Sequence, residues 1–226
     1  GEAIYHVMFE VDGAEAGLRL NRDGRVLDRW RFELEPPAAE GLAPTFVDLE
    51  YGPFERNRFD LWLAESDEPT PLLICIHGGG FSGGDKEGFR GEVELLRAML
   101  DAGISVAAIN YRLTDGGRNP FPIPMEDGAL AIQFLRRHAD EYHLDKSRFG
   151  ATGGSAGGCM LMWLGFHPDM AVPDHADPVR RESTRLQALA PYGGQSCLHL
   201  PTLARWFGAT SLEPHPAYGP LFGLDV

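Results

Sequence analysis

Hydrophobic and polar positions fall into short, distinct patterns from Thr45 onward. Residues 46–51 and 58–63 alternate apolar and polar side chains, as paired antiparallel edge strands do. Residues 71–76 form an unbroken apolar run suited to a strand buried on both faces, and residues 104–109 form another. Residues 92–100 carry apolar positions on one helical face. Residues 125–143 place Ala129, Ile132, Leu135 and Ala139 at helical spacing, with Asp127 near the start, where a carboxylate suits the helix dipole. Residues 148–152 and 186–192 read as two further strands. Strands alternating with helices predict an α/β protein with a mainly parallel sheet and helices on both faces.

Residues 1–44 read differently. This charged, amphipathic stretch, punctuated by Asp12-Gly13 and by residues 21–26, predicts an N-terminal helical arm, lid or partial cap, leaving residues 45–226 as the core. Residues 35–41, with two prolines, read as a linker. Trp30 and Phe32 are this segment's candidates for substrate contact, or simply anchors of the arm. Residues 21–26 have the look of a calcium-loop centre, but Arg19 and Trp30 stand where the loop needs acids.

Composition narrows the picture further. In 226 residues, 43% hydrophobic content supports a sizeable core, and 28 glycines suit the turns of an α/β sheet. A formal net charge of -13 argues against nucleic acid and anionic membranes as partners. No apolar run approaches bilayer length, and no basic and apolar signal segment is seen, so a soluble protein, with the cytoplasm favoured, is expected. That expectation concerns the chain as read, which opens at Gly1 and not at methionine. Cys75 and Cys159 read as small buried hydrophobes, Cys197 is ambiguous, and neither cysteines nor histidines show metal-ligand spacing. No metal or other cofactor is expected.

The chemistry concentrates in two glycine-rich segments. Gly153-Gly154-Ser155-Ala156-Gly157 puts a serine between small residues after a strand-like run and before a helix-like one, the sequence form of a nucleophile elbow. His77-Gly78-Gly79-Gly80-Phe81-Ser82-Gly83-Gly84 follows the apolar strand 71–76, and consecutive glycines let backbone N–H groups converge on one point. A phosphate-binding loop would need Gly-Lys-Ser/Thr, whereas Gly84 is followed by Asp85-Lys86-Glu87.

These segments, with Asn110-Tyr111-Arg112-Leu113 and the run from Phe121 to Asp127, resemble the hormone-sensitive-lipase-like esterases and lipases of the α/β-hydrolase fold, over about residues 45–192. The resemblance implies Ser155 as nucleophile and the N–H groups of Gly79, Gly80 and Ala156 as the oxyanion hole. It also implies support from Gly78, Gly153 and Gly157, with His77 bracing the glycine loop rather than acting as base. The expected activity is hydrolysis of small or medium acyl esters through an acyl-serine, and Phe81 and Trp163 are candidate acyl-pocket walls.

The same resemblance implies an acid and then a histidine well past the serine, carried by two further strands that this chain does not reach before Val226. Acid and base therefore stay unassigned. His167, His175, His199 and His215, with Asp169, Asp174, Asp177, Glu182, Glu213 and Asp225, follow Ser155 outside any family motif; His175 lies between Asp174 and Asp177 in a proline-bounded loop, and Glu213 and His215 are the pair near the spacing that a very compact serine hydrolase would use. A sheet ending at residues 186–192 exposes an edge that residues 195–226 or a second copy would cover, so a homodimer or higher oligomer is expected. A different class of function, a weakly active or non-catalytic binding or assembly protein, stays open, as does supply of the remaining part by another polypeptide.

Overall fold

A computed structural model describes residues 41–197, Thr202 and Arg205 in full, and the backbone of three N-terminal strands. Those strands, β1 (Tyr5–Val11), β2 (Ala14–Leu20) and β3 (Val26–Glu33), form an antiparallel meander in the order β1-β2-β3. The segment is thus a sheet, not a helical arm. Its alternating pattern has the strand period, and Asp12-Gly13 is the dipeptide that two-residue hairpins favour. The chain divides into compact units Gly1–Gly41 and Leu42–Val226. Leu42 belongs to the second because its N–H donates to the Arg90 carbonyl at 3.0 Å and its carbonyl accepts from Trp62 Nε1 at 2.8 Å.

The second unit is built on a six-stranded sheet. Its strands are β4 (Phe46–Glu50), β5 (Arg58–Trp62), β6 (Thr70–Ile76), β7 (Ser105–Ile109), β8 (Leu144–Gly154) and β9 (Ala188–Tyr192), in the order β4-β5-β7-β6-β8-β9. β4 and β5 pair antiparallel, β5 runs antiparallel to β7, and β7, β6, β8 and β9 are mutually parallel. Three helices complete the unit: α1 (Val93–Asp101), α2 (Ile123–Arg137) and α3 (Ala156–Phe166).

The strand period of two sorts the core onto both faces. Leu72, Ile74 and Ile76 of β6, with Ala107 and Ile109 of β7, join Met125, Ile132 and Leu135 of α2 and Met160 and Leu161 of α3. The residues between them, Cys75, Val106 and Ala108, pack with Trp62 against Leu96 of α1. Helices therefore cover both faces, as the alternation predicts. α2 begins two residues earlier and ends six residues sooner than its sequence pattern: His138 caps it, and a run of turns over residues 138–143, with His143 at φ 55°, leads into β8. All five residues of β9 are exposed, and β9 is the sheet's edge among the described residues. Apart from Thr202 and Arg205, the chain beyond Cys197, including the segment expected to cover this edge, lies outside the described residues.

Candidate active site

β6 and β8 are neighbouring parallel strands, paired at Ile76 and Gly153, so the loops leaving their C-terminal ends emerge side by side. In open α/β sheets this is where ligands bind. The glycine loop leaves β6 and the Ser155 turn leaves β8.

At that turn the chain passes from β8 into α3 in one residue. Ser155 takes φ 49°, ψ −115°, a conformation costly for a side-chain-bearing residue. Two bonds hold it there: its N–H donates to the Tyr192 carbonyl at 3.0 Å, and its carbonyl accepts from the Cys159 N–H at 2.9 Å. The flanking glycines have no room for a side chain. A Cβ on Gly153 would sit 2.8 Å from the Ile76 carbonyl oxygen, and one on Gly157 would fall onto the Ile76 and His77 carbonyls. Ser155 itself is exposed, and the buried Ala156 opens the helix behind it. α3 thus directs the positive end of its dipole at the serine.

The glycine loop stands against this turn. A methyl on Gly78 would lie 3.3 Å from Ser155 Cβ and 3.1 Å from the Gly154 carbonyl oxygen. Gly79 has φ 104°, and its carbonyl accepts from the N–H groups of Ser82 and Gly83, both at 3.0 Å. Among the described residues the N–H groups of Gly79, Gly80 and Ala156 donate to no protein acceptor. Three main-chain donors beside one exposed hydroxyl can stabilise negative charge developing on a substrate oxygen.

Polar side chains behind the loop hold its shape. His77 is buried and lies flat on Tyr111, with ring centroids 4.3 Å apart. Its Nδ1 donates to the Gly78 carbonyl at 2.7 Å, while the Tyr111 hydroxyl donates to the His77 carbonyl at 2.9 Å. Burial holds the His77 pKa below the usual histidine value, which keeps the ring neutral and suits a brace. Arg56 reaches in from the β4–β5 turn, donating to the carbonyls of Tyr111 at 2.9 Å and Gly84 at 2.8 Å. Asn110 bonds Asp85 at 2.7 Å and accepts from the Lys86 N–H at 2.7 Å. Arg112 pairs with the buried Asp127 through bonds of 2.6 and 2.8 Å and lies over the Phe54 ring. The Asn110-Tyr111-Arg112 run thus supplies the loop's foundation.

A second, ionic support was not foreseen from the sequence. Lys86 is 1% exposed and pairs with the fully buried Asp60 at 2.8 Å and with Asp48 at 2.6 Å. Burial works against its charge, but the bonds to the two carboxylates more than offset this and hold its pKa above the usual lysine value. Arg90 adds bonds of 2.9 and 2.7 Å to the other Asp60 oxygen. The one signal was an acid inside the otherwise apolar Phe59-Asp60-Leu61-Trp62.

The other candidates scatter. His167 follows the last residue of α3, which puts it about 18 Å along the helix axis from Ser155 at ~1.5 Å per residue. Its Nδ1 contacts the Pro168 carbonyl at 3.0 Å. His175 is exposed and accepts from the Asp177 N–H at 3.0 Å. Asp169 binds Ser183 at 2.6 Å and the Thr184 N–H at 2.9 Å, pinning its loop, and Asp177 accepts from the Val179 N–H at 2.9 Å. Asp174 is exposed, and the Glu182 carbonyl accepts from Gln133 at 2.8 Å. His199, Glu213, His215 and Asp225 lie outside the described residues, and so do the side chains of Trp30 and Phe32. Among the described residues no imidazole bonds the Ser155 hydroxyl.

Phe81, expected as an acyl-pocket wall, is 3% exposed and packs on Tyr111 within the core. Trp163 packs edge-on against Phe121 and close to His167, in the C-terminal half of α3. Tyr192, the last residue of β9, is 62% exposed, and its ring occupies the space that a Gly154 side chain would need. Burial raises the Cys159 thiol to about 11 and the Cys75 thiol to about 12, leaving both inert at neutral pH. A cleft of ≈ 390 Å³ opens on the Ser82 side of the glycine loop, between Phe54, Arg56, Arg112 and Asn119, and Ser155 does not line it. No helix among the described residues is long and apolar enough to cross a membrane.

The BD-FAE family model matches residues 59–210. The probable carboxylic ester hydrolase LipM of Mycobacterium tuberculosis is 32% identical over 152 residues, covering 65% of this chain and 34% of that protein. The ethyl acetate hydrolase of Pseudomonas putida is 27% identical over 177 residues, covering 72% of this chain and 54% of that protein. Among solved structures, a truncated form of a carbohydrate esterase from gut microbiota superposes with a TM-score of 0.63 at 19% identity, over 84% of this chain and 68% of that one. The chain spans about a third to a half of the length of the curated relatives it matches.

Proposed function

The chain belongs to the BD-FAE family, among the hormone-sensitive-lipase-like α/β-hydrolase esterases, and on that premise we propose that it carries the nucleophile side of a serine carboxylic ester hydrolase. The observation that carries the reading is the strained, exposed Ser155 at the N-terminus of α3, with the glycine loop of the adjacent strand against it. The names of LipM and of the ethyl acetate hydrolase support an ester substrate, the second a small one.

In the proposed reaction the Ser155 hydroxyl oxygen attacks the ester carbonyl carbon while a histidine takes its proton. The resulting oxyanion accepts hydrogen bonds from the Gly79, Gly80 and Ala156 N–H groups. Collapse breaks the bond to the alcohol oxygen, which leaves with the proton from the histidine, and water then repeats the attack on the acyl-serine to release the acid. The histidine and its orienting carboxylate belong to the part of the protein outside the described residues; His199 and His215 are the candidates there.

The test is hydrolysis of p-nitrophenyl acetate and butyrate, with fluorophosphonate labelling followed by intact mass, beside Ser155→Ala. Labelling at Ser155 and turnover lost in the variant are the expected results. A second reading rests on the lack of an imidazole at Ser155 among the described residues, and takes the chain as a weakly active binding or assembly protein. Without base and acid only about 10³–10⁴-fold over water survives, from oxyanion hole and binding. Equal rates in both proteins would put this second reading first.

A further inference from the structure

The whole Arg56 guanidinium is engaged on the glycine loop and on the residues Tyr111 and Asp85 that flank it. Nε donates to the Tyr111 carbonyl at 2.9 Å, Nη2 to the Gly84 carbonyl at 2.8 Å, and Nη1 faces Asp85 at 3.3 Å. Nη2 also lies 3.4 Å from His77 Nε2. This last contact constrains where the His77 proton resides. A guanidinium only donates, so Nε2 facing it must be the lone-pair nitrogen and the ring proton must sit on Nδ1. The Gly78 carbonyl, 2.7 Å from Nδ1, only accepts and calls for the same tautomer, so the two contacts hold the ring from opposite nitrogens.

The planar trans peptide carries the constraint one step further. Its carbonyl and the following N–H point in opposite directions, so drawing the Gly78 oxygen back toward His77 turns the Gly79 N–H the other way. Gly78 itself stands against Ser155, within the 3.3 Å that a methyl would leave. We propose that Arg56 is a positioning residue that selects the Nδ1–H tautomer of His77 and thereby aims the Gly79 N–H at the oxyanion. Its consequence for rate rests on the ester-hydrolase reading; its consequence for the His77 tautomer does not.

Arg56→Met keeps the stem and removes the donors, and Arg56→Lys restores one donor and the charge. Long-range ¹⁵N–¹H correlation spectra of the full chain read the tautomer directly. The wild type gives a single Nδ1–H species at His77, Arg56→Met a mixture with the Nε2–H form, and Arg56→Lys a partial return. With p-nitrophenyl acetate, kcat falls about tenfold in Arg56→Met while KM stays within about twofold, less than the ~10²–10³ cost of deleting an oxyanion donor outright. Millimolar guanidinium recovers part of that loss. A His77 that keeps the pure Nδ1–H form in Arg56→Met, or in Arg56→Lys should the first variant fail to fold, overturns the proposal. A wild type without esterase activity sinks the ester reading alone, because the tautomer still decides the role of Arg56.

Discussion

Replacing Lys86 by methionine tests the ionic support under the glycine loop. Methionine fills most of the lysine stem's volume and removes the ammonium that bridges Asp60 and Asp48. Removing one member of a buried ion pair costs about 3–5 kcal/mol, chiefly through the charge left behind. Here Asp60 keeps two bonds from Arg90 and accepts the Asp48 N–H at 3.0 Å, while Asp48 is half exposed and regains water. The expected loss therefore lies at or below the low end, about 2–3 kcal/mol. For a unit of this size each kcal/mol lowers Tm by about 2–4 °C, so a fall of about 4–12 °C is expected by calorimetry. Adding Asp60→Leu removes the orphaned carboxylate and leaves Arg90, already partly exposed, free to reach solvent. The double variant should then be less destabilised than the sum of the singles by at least about 1 kcal/mol. A Tm loss under about 2 °C for Lys86→Met, or additivity within about 0.5 kcal/mol, would refute the account of Lys86 as a partner that Asp60 needs.

Three further outcomes follow from the same geometry. Ser155→Gly relieves a backbone strain of about 1–3 kcal/mol against a glycine entropy cost of about 0.5–1, so Tm should rise slightly while labelling is abolished; a lower Tm than that of Ser155→Ala would count against strain at the turn. Gly157→Ala drives a methyl into the Ile76 and His77 carbonyls and should cost about 3 kcal/mol or more, whereas Gly88→Ala, with no atom within 4 Å of its Cβ, should be close to neutral in a urea titration. His77, its pKa depressed by burial, binds fewer protons folded than unfolded below about pH 6.5. Its contribution is full above that pH and falls on acidification by at most about 1.4 kcal/mol per pH unit, so Tm should drop from pH 7 to 5 and His77→Asn should flatten that slope.

The central strands were legible in the sequence because burial on both faces leaves continuous apolar runs: residues 71–76 and 104–109 became β6 and β7 almost residue for residue. The Ser155 turn was legible for a steric reason, since few sequences place small residues on both sides of a serine between a strand and a helix. The N-terminal segment departs from the expected helical arm because its many charges suit a solvated helix face as well as a sheet face, while its alternation and the Asp12-Gly13 dipeptide between β1 and β2 favour a hairpin. The braces Arg56 and Asp85 carry no local pattern that announces them, and Tyr111, although it stands in the Asn110-Tyr111-Arg112-Leu113 run, shows its bracing role only in space. Their partners lie 21 to 55 residues away along the chain.

By itself the sequence determined what depends on near neighbours in the chain: which runs become strands, where the helices begin, and that Ser155 must occupy a tight turn. Only the tertiary structure decided what depends on distant segments meeting. The strand order brings β6 beside β8, so the glycine loop and Ser155 share one end of the sheet. The same packing buries Asp60, which requires Lys86, and seats His77 between Tyr111 and Arg56. Hydrogen bonds and ion pairs act over a few ångströms of space whatever the separation along the chain. A residue's role in this site was therefore set by the fold that delivers its partner.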